Sequence, residues 1–278
     1  MYTKVTYDLG EVREIQKYYP ANYGAPGCPR KEKRKKTPEE IKKQNETNKV
    51  RKVQRLILAN FTEGDIHLNL TYRKDLRPDT LEEAVAQRAK FLRDLKRAYR
   101  RAGPDLKYIG VTEIGSRGAV HHHIVINNPD ELNVMKVIQK IWPYGQQYQT
   151  PLYEEGEYEQ LSSYLMKDET KEEITGTSYT SSRNLIRPEP VREKILHKRW
   201  RDPPKVPKGW EMIKDTLFNG VNPVTGYPYQ RYMLRRIHES QHIHVSDDTR
   251  RKKTTGVRDI RAGSGHEGEC YEDPPDKV

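Results

Sequence analysis

Apolar and polar positions alternate most cleanly over residues 66–72, where Ile66, Leu68, Leu70 and Tyr72 fall on one side and His67, Asn69 and Thr71 on the other. A period of two predicts a strand with one buried face. The preceding LILANF reads as another strand, joined to it by a turn at residues 62–65. The pattern then changes. Leu81, Val85, Leu92, Leu95 and Tyr99 recur at helical spacing, with Thr80 and Glu83 as a capping box and Gly103 and Pro104 as the stop. An earlier capping box, Thr37 with Glu40 and Pro38 between them, predicts a helix running to about residue 53.

KYIGVTEI and AVHHHIVIN predict two strands joined through GSRG. With residues 116–118 as a three-residue hairpin loop and Gly118 in the left-handed position, Ile114 faces Val120 and Glu113 faces His121. NPDELNVMKVIQKIW then reads as a helix starting near Pro129, GQQYQTPLY as a strand, and EGEYEQLSSYLMKDETKEE as a polar helix. Strand, helix, strand, strand, helix, strand is the order of a ferredoxin-like α+β fold. The expectation is an antiparallel sheet of about five strands, with helices on one face and the active site on the other. Residues 1–54 are expected to form a basic arm and helix, 55–187 the catalytic domain, 188–240 a small accessory segment and 241–278 a disordered polar tail.

Composition sharpens this picture. Apolar residues make up 33% of the 278 and charged residues another 33%, so a good part of the chain is expected outside a core. The net charge of +11 is uneven. Residues 1–60 hold 15 Lys and Arg against 7 Asp and Glu, residues 61–185 hold 17 against 19, and the remainder 19 against 14. A near-neutral centre with cationic flanks suits a polyanion held by its backbone. Cys28 and Cys270 have no neighbour at metal-ligand or redox spacing, which points to a reducing compartment. The sequence shows no signal-peptide pattern, no apolar run of membrane length and no GxxxxGK[ST] loop, so a cytoplasmic protein that does not itself use ATP is expected.

The candidate chemistry lies in HHHIVIN. Alternation puts His121 and His123 on one face and turns His122 away with Ile124 and Ile126. The hairpin register adds Glu113 beside His121. Two imidazoles and a carboxylate, with no thiolate, suit Mn²⁺ or Mg²⁺ with open positions better than structural zinc.

HLNLTY, then HHH before IVIN, then YLMK resemble the three ordered motifs of the HUH endonucleases, and more narrowly the rolling-circle replication initiators of small bacteriophages and plasmids. The resemblance spans about residues 55–187. It implies that His121 and His123 bind the metal with Glu113 as third ligand, that Tyr164 is the nucleophile and that Lys167 accompanies it. It departs from the family at His122, where a bulky apolar residue is usual. Tyr153 and Tyr158 compete with Tyr164, but the six-residue spacing of Tyr158 and Tyr164 is not one helical face, which favours a single nucleophile.

The resemblance further implies a single-stranded DNA origin as substrate, with a separate host helicase and polymerase in a bacterial cytoplasm. Asn69, Thr71, Arg73 and Lys74, together with Arg30, Lys31, Arg34 and Lys35 of the basic run, are the expected DNA contacts. Two other readings remain open. A plasmid relaxase or single-tyrosine transposase would use the same chemistry. A non-catalytic RNA- or single-strand-binding module would display aromatics rather than histidines on its central strands.

Overall fold

A computed structural model describes residues 1–21, 24–28, 36–114, 118–153, 158–166, 179–222 and 225–237. The central sheet contains β3 (Ile66–Leu70), β4 (Tyr108–Ile114), β5 (Val120–Ile126), β6 (Gln147–Pro151) and the short β7 (Thr180–Ser181). Their order is β6-β3-β5-β4-β7, antiparallel throughout. Helix α2 (Leu81–Ala102) follows β3, and α3 (Val134–Ile141) follows β5. The expected ferredoxin-like arrangement is therefore present, with β7 added at one edge.

Local signals explain most of these elements. The Thr80 hydroxyl accepts the backbone N–H of Glu83, while the Glu83 carboxylate accepts that of Asp79. Gly103 closes α2 at φ +113°, a conformation that costs glycine little. Phe91, Leu92, Leu95 and Tyr99 of α2 pack with Val134, Ile138 and Trp142 against Ile66, Leu68, Leu70, Ile124 and Ile126. Each fully buried side chain of this kind contributes about 1.5–3 kcal/mol. Helix α3 starts later than expected, after Asn133, whose side chain caps Lys136 N.

The sequence reading fails at LILANF. The helix that begins at Pro38 does not stop near residue 53 but continues as α1 (Pro38–Asn60). Val53, Leu56 and Ile57 are at helical spacing and pack onto Ile109, Val111 and Val125, on the sheet face opposite α2 and α3. A short apolar run of this kind fits either a strand or a buried helical turn, and packing decides between them. The same contacts are shared by Leu165 and Met166 at the end of α4 (Glu159–Leu165). One end of the face that carries Glu113, His121 and His123 is thus roofed by α1 and α4.

The flanks also depart from expectation. Residues expected to be a basic arm form a hairpin, β1 (Tyr2–Asp8) and β2 (Val12–Tyr18). It belongs to a six-stranded sheet with β8 (Val191–Ile195), β9 (Trp210–Met212), β10 (Phe218–Val221) and β11 (Pro228–Arg236). β1 pairs with β8 and β2 with β11, so the arm and the accessory segment are one structure. A domain boundary at residue 55 would fall inside α1. The expectation of a disordered tail from residue 241 lies outside the described residues.

Candidate active site

Glu113 on β4 stands opposite His121 on β5, as the hairpin register requires, and Gly118 takes φ +71°. Asn69 on β3 stands opposite His123. His121 and His123 share a face, with rings stacked 6.4 Å apart. His123 is 2% exposed, and its Nε2 lies 3.2 Å from Glu113 Oε2.

α4 brings the phenol. Leu165 and Met166 fix the helix against α1 and the sheet, while Tyr164 remains 46% exposed. Its hydroxyl lies 3.2 Å from His123 Nε2, and the two rings meet edge-on with centroids 4.9 Å apart. Burial, and then the charge and hydrogen bond of Glu113, raise the Tyr164 phenol above its ordinary value. By contrast, the Tyr158 hydroxyl donates to the carbonyl of Tyr153, and the ring packs beside the α1–α4 contacts.

His122 points to the opposite face and is wholly buried. Its Nε2 lies 2.7 Å from the Tyr72 hydroxyl and its Nδ1 2.9 Å from Thr112 Oγ1, which accepts from Arg88 at 2.7 Å. The set is satisfied when Thr112 donates to Nδ1 and Nε2–H donates to the Tyr72 oxygen. Burial, and then the charges of Arg88, His123 and His121, hold His122 well below the ordinary imidazole range, so it stays neutral. It supports the strand from below. Thr112→Val keeps the side-chain shape but removes this shared partner from Arg88 and His122. The expected cost is about 1–3 kcal/mol in urea unfolding, with the slope unchanged.

The other nominated residues are spread along β3 and beyond. Asn69 is half-buried, with its Oδ1 enclosed and, among the described residues, without a hydrogen-bond partner. Thr71 is held by backbone bonds, its N–H to Gln146 and its carbonyl accepting from the Trp142 indole. Arg73 and Lys74 are exposed where the chain leaves β3, at the end where Leu70 faces His122. Lys167, Arg30, Lys31, Arg34 and Lys35 lie outside the described residues.

The sequence reading did not nominate His67. It shares the Asn69 face, its ring stacks 5.6 Å from that of His123, and its buried Nε2 has no partner among the described residues. Burial lowers its basicity. The alternation over residues 66–72 already placed it on this face, and that was the available signal.

Among the described residues, no three His, Cys, Asp or Glu side chains form a ready-made metal cage. The donor set nevertheless fits a divalent cation. Ligand atoms that share a cation at about 2.1 Å stand roughly 3 Å apart, close to the Glu113–His123 separation. His121 adds a buried Nδ1 without a partner among the described residues.

The family model for replication-associated proteins of the ORF2 type matches residues 65–172, from the start of β3 past α4. Over that stretch the chain is similar to replication-associated proteins. The match supports a replication-initiator function, nuclease activity as its general class and DNA as its partner. No curated protein and no solved structure gave a match. Among the described residues, no helix is long and apolar enough to cross a membrane.

Proposed function

We propose that the chain is a single-tyrosine nickase-ligase of the HUH type that starts rolling-circle replication at a single-stranded DNA origin in a bacterial cytoplasm. The observation that carries this reading is the convergence of the Tyr164 hydroxyl and the Glu113 carboxylate on His123 Nε2, each at 3.2 Å. A divalent cation, Mg²⁺ or Mn²⁺, held by Glu113, His121 and His123 would polarise the scissile phosphate, offset its developing charge and neutralise Glu113.

Tyr164 then attacks phosphorus in line. The bond from its oxygen to phosphorus forms, the bond from phosphorus to the 3′-oxygen breaks, and a 5′-phosphotyrosine and a free 3′-hydroxyl result. The phosphodiester energy is kept in the covalent bond, so a later 3′-hydroxyl can reverse the step and join the strand. Lys167 would steady the phenolate or an adjacent phosphate. Asn69, Thr71, Arg73 and Lys74, with the Arg30, Lys31, Arg34 and Lys35 run, would hold the strand. A host helicase and polymerase would continue replication.

The test is a pool of 3′-labelled single-stranded oligonucleotides incubated with the protein and either ion. Label should move with the protein on a denaturing gel, and a chelator should prevent this. His123→Ala should lower the yield by at least about 10–100-fold, the loss typical of removing even an outer-shell partner of a metal ligand. If no label becomes protein-bound with either ion, strand transfer by this site is wrong.

A further inference from the structure

A cavity of about 440 Å³ opens on the six-stranded sheet, wholly outside residues 65–172. Its cationic lining comes from Lys4 of β1, Lys17 of β2, and Arg199, Arg201 and Lys205 of the loop after β8, with His197 beside them; among the described residues, no Asp or Glu lines it. The loop is pinned by Trp200, which stacks on Tyr19 at 4.7 Å and meets Tyr2 edge-on at 5.3 Å. Arg199, Arg201 and Lys205 are exposed. Lys4 is ion-paired with Glu193 at 2.9 Å, and Asp202 beside the cavity accepts from Asn219. Among the described residues, the other four Lys and Arg of the lining have no ion-pair partner.

Lys17 is the informative one. It is only 7% exposed, and burying an ammonium is costly unless it is paired. Its Nζ donates to Gln230 Oε1 at 3.0 Å and lies 5.0 Å from the Tyr232 ring centre. These are a neutral acceptor and an aromatic face, not a counter-charge. Burial, and then the charge of Lys4, outweigh the more distant charge of Asp202 and bring it down to about 8, so an anion in the cavity would be the direct partner that keeps it fully charged. Tyr2 and Tyr232 are themselves buried, and the half-buried Trp200 ring is engaged by Tyr19 and Tyr2, which leaves little ring surface for stacking bases. The recognised group is therefore the phosphate.

We propose that this cavity is a second DNA site, a sequence-independent phosphodiester clamp separate from the Tyr164 site. The choice of DNA as the anion rests on the function proposed above; the cation cluster does not.

The test is Arg199→Ala/Arg201→Ala/Lys205→Ala in the full chain. Fluorescence anisotropy would follow a 40-nucleotide single strand, a 40-base-pair duplex and a 10-nucleotide single strand, each over a range of salt. The expected result is a loss of about 30-fold or more on at least one of the long DNAs, with little change on the short strand. The salt slope should fall by about one per removed contact on duplex, and somewhat less on single strand. The DNA that shows the change identifies the form bound. Arg199→Lys/Arg201→Lys should restore the slope if charge, rather than loop packing, is responsible.

Unchanged isotherms and slope on both long DNAs would overturn the clamp. So would equal losses on long and short strands, which would put these cations at the Tyr164 site. Competition by polyglutamate as strong as by DNA of equal charge would assign the cavity to an acidic protein instead. Failure of the nicking reading appears separately, as absence of protein-bound label.

Discussion

Tyr164→Phe is expected to abolish the covalent protein–DNA adduct, by at least about 10³-fold, while single-strand affinity stays within about threefold. The substitution keeps the ring that meets His123 edge-on at 4.9 Å and removes only the oxygen that stands 3.2 Å from Nε2. Packing of α4 depends on Leu165 and Met166, which are untouched, so loss of adduct reports chemistry and not folding. Two nearby phenols make the experiment discriminating. Tyr158 has its hydroxyl engaged by the Tyr153 carbonyl, and Tyr153 is 61% exposed. Adduct that persists in Tyr164→Phe and disappears on adding Tyr153→Phe or Tyr158→Phe would move the nucleophile away from Tyr164.

Much of this geometry was legible before any coordinates. The period of β3, the capping of α2 by Thr80 and the Glu113–His121 register all follow from local rules, and a strand hairpin allows few alternatives once its loop is chosen. What escaped was decided by distant contacts. LILANF has the composition of a strand, and becomes helix because Val53, Leu56 and Ile57 complete a layer with Val125 and Leu165.

The six-stranded sheet escaped for a different reason. Its buried positions include Glu14, Lys17, Gln230 and Arg231, so the apolar alternation that marks a strand is missing from β2 and β11. Those polar residues satisfy one another across strands far apart in sequence. His67 shows a third kind of limit. Its face was readable, but that its ring would lie against His123 depends on neighbouring-strand register that alternation alone does not give.

The buried polar group also carries the second large prediction. Glu14 is fully buried and accepts from Arg55 Nε at 2.6 Å and from Arg231 Nε at 2.7 Å, while Arg231 also donates to Gln54. The Arg55 guanidinium lies 3.7 Å from the centre of the Tyr7 ring. Burial alone would raise the Glu14 carboxyl; the Arg55 hydrogen bond and the Arg231 and Arg55 charges outweigh it and hold it down to about 2. Because the folded value is depressed from 4.5, the cluster's contribution is complete above that pH and is lost as pH falls towards 2. Glu14→Gln leaves two guanidiniums without their counter-charge. The expected cost is about 3–5 kcal/mol in urea unfolding at pH 7, with a flatter stability profile between the two pH values. Replacing Glu14, Arg55 and Arg231 together by Met should recover most of that loss, since the penalty comes from the stranded charges. A loss under about 1 kcal/mol in Glu14→Gln would show that α1 does not depend on this cluster. The consequence reaches the candidate site, because the helix that offers Arg55 to Glu14 also presents Val53 and Ile57 to Leu165, one residue from Tyr164.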